Sequence, residues 1–222
     1  MKAMLLAAGR GERMGALTEH CPKPLLAVAG KALLRHHLER LAAAGFEEVV
    51  VNASYLGDQV EAFLARQTDL DMHLAVSLEP ERLETGGGIH NALPLLGNEP
   101  FLVVNSDVWC DYPLHKLPRR PQGLAYLVLV NNPNHNPDGD FALQGHSVLA
   151  AGAPQFTFSG ISVIDPALFA DCEVGRFPLA PLLREAMSRN QVQGELYTGY
   201  WVDVGTPERL AAVEQKLQER MQ

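Results

Sequence analysis

The chain predicts an α/β fold, a single domain in which helices flank a mixed, mostly parallel central sheet. Three observations lead there. Short continuous apolar runs alternate with amphipathic helical patterns through the first half of the sequence, the signature of parallel strands buried on both faces. The second half turns to closely spaced strand-like runs joined by turn-rich pieces, which adds antiparallel strands to that sheet. The length of 222 residues, with 47% hydrophobic and 20% charged, suits one ordinary globular domain.

Each element follows from its residues. "KAMLLAA" (2–8) is apolar almost throughout and reads as a buried first strand. It is too short for a secretory leader, and Arg10, Glu12 and Arg13 follow at once, so a cytoplasmic protein is expected. "KALLRHHLERLAAAG" (31–45) places leucines at 33, 34, 38 and 41 and stops at Gly45, as a helix does. A strand over 46–53, a helix over 57–67 and a strand over 71–79 come next. "GGGIHNALPLLG" (86–97) opens a helix at a glycine-rich turn, and "FLVVNSD" (101–107) is another buried strand. Strand-like runs follow at 123–132, 140–145 and 157–165, then a helix over 181–191 and a strand over 192–199. A final helix runs from Pro207 to about Gln218, and no internal repeat or linker interrupts the chain.

Composition excludes several functions. A net charge of −8 lacks the basic face of a nucleic-acid binder, and no apolar run is long enough to span a bilayer. Cys21, Cys110 and Cys172 are far apart and form no zinc spacing, so reduced thiols are expected. "NHNPDGD" (134–140) imitates the start of a calcium loop, but its twelfth position is Gly145 and a proline interrupts it; a hairpin turn is the reading. Trp109, Tyr126, Phe158 and Trp201 suit a sugar-framing role or, more ordinarily, the core.

The chemistry concentrates in "LAAGRGERMG" (5–14), directly after the first strand. Gly9 and Gly11 fit a dinucleotide fingerprint, but Met14 stands where its third glycine belongs, and the second strand ends at Asn52 without a carboxylate for a ribose. No GK[ST] follows, so a Walker loop fails as well. What remains is a glycine turn flanked by Arg10 and Arg13, with Lys23 set between Pro22 and Pro24 in backbone expected to be extended. Backbone amides and forked guanidinium donors around such a turn suit phosphate oxygens.

"LAAGRGERMGALTEHCPKPL", "LETGGGI" (83–89), "VVNSD" ending at Asp107, and "WVDVGTPE" (201–208) occur in this order. Together they resemble the motifs of the sugar-1-phosphate nucleotidylyltransferases over nearly the whole chain. The short length, "ETGGG" and "TFSGISV" are similar to the branch of that family acting on N-acetylmuramate 1-phosphate in cell-wall recycling. The resemblance implies a Rossmann-like nucleotidyltransferase domain over 1–222, with a nucleotide-binding part over about 1–110 and a sugar-binding part over about 111–222. It implies transfer of a uridylyl group from UTP to a sugar 1-phosphate, with Mg²⁺ as cofactor. A guanylyltransferase acting on mannose 1-phosphate is the rival within the family. An NAD(P)-dependent oxidoreductase and a silent sugar-nucleotide sensor are the rivals outside it.

The resemblance also implies roles. Arg13 serves the leaving phosphates, Lys23 the α-phosphate or the incoming phosphate, and Asp107 and Asp203 the metal. Asp203 lies between Val202 and Val204, while Thr206 before Pro207 already supplies a helix cap. The nucleotide is held by Ala7, Ala8, Gly9 and Gly11, by Asn52, and by Gly87 and Gly88 where backbone approaches it. Glu79 is either the base-reading residue or a member of a surface salt bridge. Three departures stand out: Ala16 for a proline, Ser106 for a glycine, and "LAAGAPQF" for a lysine-bearing Glu-Lys-Pro segment. The acceptor site is therefore expected around Asn105, Asp140 and Gly160.

Overall fold

The computed structural model describes residues 1–221. Its first half runs β1 (Ala3–Leu6), β2 (Ala27–Val28), β3 (Lys31–Ala32), α1 (Leu33–Ala43), β4 (Glu48–Ala53), α2 (Gly57–Leu64), β5 (His73–Leu78), α3 (Glu84–Leu96), β6 (Phe101–Asn105) and β7 (Val108–Cys110). The second half runs β8 (Ala125–Val130), β9 (Phe141–Gln144), β10 (Ser147–Leu149), β11 (Gln155–Ile164), α4 (Ala180–Ser188), β12 (Val192–Tyr197), β13 (Trp201–Asp203) and α5 (Pro207–Met221).

The main sheet has the order β5-β4-β1-β6-β11-β8-β12-β10-β9. Its first four strands are mutually parallel, because helical crossovers link them. β11 then runs antiparallel to β6 and β8, and β12 parallel to β8. β9 pairs with β10 and also returns to β11, so the far edge of the sheet curls closed and exposes little unpaired backbone.

Strand alternation feeds two cores. Leu34, Leu38 and Leu41 of α1 and Val60 and Leu64 of α2 cover one face, meeting Val49 and Val51. Ile89, Ala92 and Leu96 of α3 and Leu183, Ala186 and Met187 of α4 cover the other, meeting Met4 and Val50. Burying each such side chain contributes roughly 1.5–3 kcal/mol, which is why a near-continuous apolar strand such as β4 is stable only in the middle of this sandwich. A third cluster of Val28, Leu33, Trp109, Val204 and Val213 seats α5 against the β2–β3 hairpin.

The topology places the site. Leu6 stands in register with Asn52 on one side and Asn105 on the other, so three parallel strands end at one level. β1 is where the crossovers leave in opposite directions, and ligands of open α/β sheets bind outside strand ends at such a point.

Several boundaries differ from expectation. The expected helix over 31–45 begins with two strand residues, because Lys31–Ala32 pair with Ala27–Val28. β7 and β13 form a separate two-stranded sheet too short for any periodic signal. The 131–140 segment is not a hairpin turn: β8 and β9 are not neighbours, and it crosses between strands on opposite sides of β11. No helix among the described residues is long and apolar enough to cross a membrane.

Candidate active site

A cleft of about 610 Å³ opens over the carboxyl ends of β1, β4 and β6, lined by Ala7, Ala8, Gly9, Asn52, Glu79 and Asn105 among others. Its closed end is a chain of hydrogen bonds. Ala7 N–H donates to Asn52 Oδ1 at 2.7 Å, and Asn52 Nδ2 donates to Glu79 Oε1 at 2.6 Å. Leu83 N–H donates to Glu79 Oε2 at 3.0 Å. Asn52 and Glu79 are both buried, and no cation pairs with Glu79 among the described residues, so the surface salt bridge is eliminated. A buried carboxylate that accepts only from neutral donors keeps acceptor capacity for a further N–H.

The glycine loop leads away from this end. Gly11 adopts φ +69°, and a Cβ there would lie 3.0 Å from Lys23 Cβ and 3.1 Å from Thr18 Cγ2, so a side chain is excluded on both counts. The loop then coils into a 3-10 segment, Glu12–Thr18, in which Met14 N–H and Thr18 Oγ1 both donate to Gly11 O. Met14 plugs the interior beneath the loop, while Arg13 remains exposed. Arg10 lies over the Tyr55 ring, 5.5 Å from its centroid.

Lys23 is buried, and its Nζ lies 2.7 Å from Asp107 Oδ2. Its backbone is not extended as expected: the extended residue is Pro22, and Lys23 opens a 3-10 turn closed by Leu26 N–H on Lys23 O. Asp107 follows β6 in the turn into β7. Ser106 Oγ donates to Leu6 O at 2.6 Å, which ties this turn to β1. The serine that replaces a glycine here therefore lines the cleft and braces the turn.

Asp203 ends β13, opposite Val108 in the small sheet, and Val204 N–H donates to Asp107 O at 2.7 Å. That backbone bond brings the two aspartates side by side. Asp203 Oδ2 accepts from Arg209 Nη1 at 2.7 Å and lies 3.3 Å from His135 Nε2. Asp203 Oδ1 is buried with no hydrogen-bond partner among the described residues. Thr206 caps α5 as expected, with Arg209 N–H directed at its hydroxyl at 3.4 Å.

Residues 2–138 match the profile of the family described as "Nucleotidyl transferase". The chain belongs to the nucleotidyl transferase family. An N-acetylmuramate alpha-1-phosphate uridylyltransferase of Neisseria meningitidis is 49% identical to it over 220 residues, 95% of each chain. The protein of that name from Caulobacter vibrioides is 35% identical over 98% of this chain and 97% of its own. In fold the chain is similar to HddC from Yersinia pseudotuberculosis, solved with GMP-PN, with a TM-score of 0.79 at 20% identity over 97% and 99% of the two chains.

Within this nucleotidyl transferase, the expected site residues do not all meet the cleft. Gly87 and Gly88 do not line it, and their open faces are covered by protein. A Cβ on Gly87 would lie 2.2 Å from Gly175 O, and Gly87 N–H is spent on Phe177 O at 2.9 Å. A Cβ on Gly88 would lie 2.6 Å from Glu79 Oε1 and 2.8 Å from Asn52 Nδ2. Both glycines allow close packing, one against the 175–177 segment and one against the buried Asn52–Glu79 pair.

In the second half of the chain, Gly160 adopts φ +80° in the bulge of β11 between Phe158 and Ile161, and Asn105 packs against it. A Cβ at Gly160 would lie 2.7 Å from Asn105 Nδ2. Asn105 lines the cleft; Gly160 and Asp140 do not. Asp140 Oδ2 accepts from Phe158 N–H at 2.8 Å, so that carboxylate pins the bulged strand. Phe158 and Tyr126 pack against the two cores, Trp109 lies in the third, and Trp201 Nε1 donates to Ser159 O at 2.9 Å; the aromatics are structural here.

Sequence reasoning missed Arg82, which lines the cleft, and Arg209 and His135, which surround Asp203. One signal was present for Arg209: a cation in the first turn of a helix opposes the helix dipole and calls for an anionic partner.

His37 was missed as well. It is buried on α1 with Nε2 3.1 Å from Ser106 O, and burial pushes its imidazole down to about 3. A depressed histidine binds its proton in the unfolded chain first, so it costs stability as the pH falls from about 6.5 toward 3. Over that window the wild type should lose about 1.4 kcal/mol per pH unit through this one group. Urea unfolding at pH 7, 6 and 5 should show that slope shrinking in His37→Gln; an unchanged slope would dismiss His37 as its source.

Proposed function

We propose that the chain transfers the uridylyl group of UTP to N-acetylmuramate 1-phosphate, forming UDP-N-acetylmuramate and pyrophosphate, a cytoplasmic step of peptidoglycan recycling. The observation that carries the proposal is the pairing of two features in one cleft. Its closed end carries a buried acceptor pair, Asn52–Glu79, and its mouth carries the Lys23–Asp107 pair beside the unpartnered Asp203 Oδ1. Likeness over 95% of both chains to the Neisseria enzyme supports the choice of nucleotide and acceptor. Residues about 1–110 then hold the nucleotide and residues about 111–222 the acceptor.

In this reading Ala7, Ala8 and Gly9 run along the base, and Glu79 accepts the imino N–H of uracil. The glycine loop turns the triphosphate past Arg13. An oxygen of the acceptor's phosphate attacks the α-phosphorus, the bond to the β-phosphate's bridging oxygen breaks, and pyrophosphate leaves. Negative charge spreads over the transferring group, so fixed cations at its oxygens lower the barrier. Lys23 is set for that role, because burial and the turn of Lys23–Leu25 hold its Nζ at one place.

The donor set suits magnesium. Mg²⁺ takes oxygen ligands and commonly one or two carboxylates, with phosphates and water completing the shell. Asp203 Oδ1, buried and unpartnered, and the partly exposed Asp107 supply such carboxylates, and no cluster of three ligating side chains exists among the described residues to favour another metal. When bound, Mg²⁺ supplies charge neutralisation on the phosphates.

A pyrophosphate-release screen crossing UTP, dTTP, GTP and CTP with several sugar 1-phosphates tests the proposal. Turnover is expected with UTP and N-acetylmuramate 1-phosphate. A preference for GTP with mannose 1-phosphate, or no turnover with any pair, would overturn it.

A further inference from the structure

Arg209 holds Asp203 with one arm only. Its Nη1 donates to Asp203 Oδ2 and lies 3.1–3.3 Å from the His135 ring nitrogens, while its Nη2 has no hydrogen bond among the described residues. That free arm points into the space in front of Gly205. A Cβ built on Gly205 would lie 2.6 Å from Arg209 Nη2, 2.9 Å from Arg13 Nη2 and 2.8 Å from Asp203 Oδ1. Two guanidinium arms and the Asp203 carboxylate therefore crowd the face of Gly205, and Arg13 makes no hydrogen bond of its own among the described residues.

We propose that Arg209 binds the 1-phosphate of the acceptor sugar through this free Nη2, while Arg13, on the other side of Gly205, keeps to the departing phosphates. Two guanidinium groups against one glycine repel each other unless anions offset them, and a phosphate accepts readily from a planar fork. Asp203 compensates one of the two charges, so the site is one negative group short. Its position in the first turn of α5 leaves Arg209 further in need of an anion.

The elements that hold Arg209 favour the acceptor over the triphosphate. It is anchored by Asp203 at the end of β13 and by His135 in the 131–140 crossover, both outside the glycine loop. That crossover is fixed by Asn132 and Asn136, which hydrogen-bond Thr157 at the start of β11. The bulged β11 itself carries neither lysine nor arginine. Arg209 is thus the cation that the acceptor side presents to the aspartate pair.

The inference rests on the nucleotidyl-transfer reading, and binding measurements separate the two. Isothermal titration with α,β-methylene UTP present should give N-acetylmuramate 1-phosphate a Kd raised about 10- to 100-fold in Arg209→Gln, the loss of a charged hydrogen bond. The Kd of the UTP analogue and of pyrophosphate should stay within about twofold. Arg209→Lys should recover part of the loss, and Gly205→Ala should repeat it, because its methyl pushes the Arg209 arm aside. An unchanged Kd for the sugar 1-phosphate overturns the inference. So does a loss shared with pyrophosphate, which would assign Arg209 to the leaving group. Should Gly205→Ala fail to fold by thermal unfolding, Arg209→Gln decides alone. If the wild type binds sugar 1-phosphates yet releases no pyrophosphate from any triphosphate, the nucleotidyl-transfer reading fails while the Arg209 comparison still returns its answer.

Discussion

Asp203→Asn should lower turnover about a thousandfold at saturating UTP and acceptor, the scale seen when one preorganised charge is removed from a transition state. The side chains have the same shape, so the effect isolates charge. Asp203 Oδ1 is buried without a partner among the described residues, which leaves a charged oxygen available to a cation. An amide at that position cannot neutralise a cation, while its oxygen can still accept from Arg209. Stability should therefore change by no more than about 1 kcal/mol, because the Asp203–Arg209 pair is only partly buried. Steady-state kinetics with thermal unfolding on the same sample checks both halves. Turnover within tenfold of wild type would remove Asp203 from the chemistry.

Gly87→Ala should be the most destabilising of the small substitutions near the cleft, by about 1–3 kcal/mol. The obstruction at 2.2 Å is Gly175 O, a backbone atom, so the new methyl cannot be accommodated by a rotamer change. Relief requires the 175–179 segment to lift off α3, breaking the Gly87–Phe177 bond and loosening Leu179 N–H from Thr85 Oγ1. For a chain of this size each kcal/mol lowers Tm by roughly 2–4 °C. Gly88→Ala strikes a different target: its methyl would press on Glu79 and Asn52, so nucleotide affinity should fall first. Calorimetric unfolding of both variants, with UTP titrations, checks the contrast. A Tm for Gly87→Ala within 1 °C of wild type would mean that the segment does not lie on α3 as described.

Much of this architecture was legible because burial writes itself into runs of residues. β1, β4 and β6 are apolar nearly throughout, and only a sheet covered on both faces accepts such strands. The loop after β1 was legible by exclusion, since Met14 blocks one reading and Arg13 and Lys23 invite another. The rest depends on contacts between residues far apart in the chain. "LETGGG" announces a helix start near backbone, but nothing in it says that residues 175–177 lie against it. Glu79 looks like any surface glutamate until Asn52, from another strand, meets it. β7 and β13 are three residues each, and their pairing, which sets Asp203 opposite Val108 and so next to Asp107, leaves no periodic trace. Asp140's partner was hidden for the same reason: it is the backbone of Phe158, on a strand that Asp140 does not precede directly.

Lys23 and Asp107 in one cleft, with Asp203 tied to Asp107 through the Val204–Asp107 backbone bond, imply displacement at the α-phosphorus, and label transfer tests that most directly. Incubated with N-acetylmuramate 1-phosphate, [α-³²P]UTP should pass its label into the nucleotide sugar, and [γ-³²P]UTP should pass its label into pyrophosphate alone. Recovery of the γ label in a sugar product, or of the α label only in free UMP, would contradict the account.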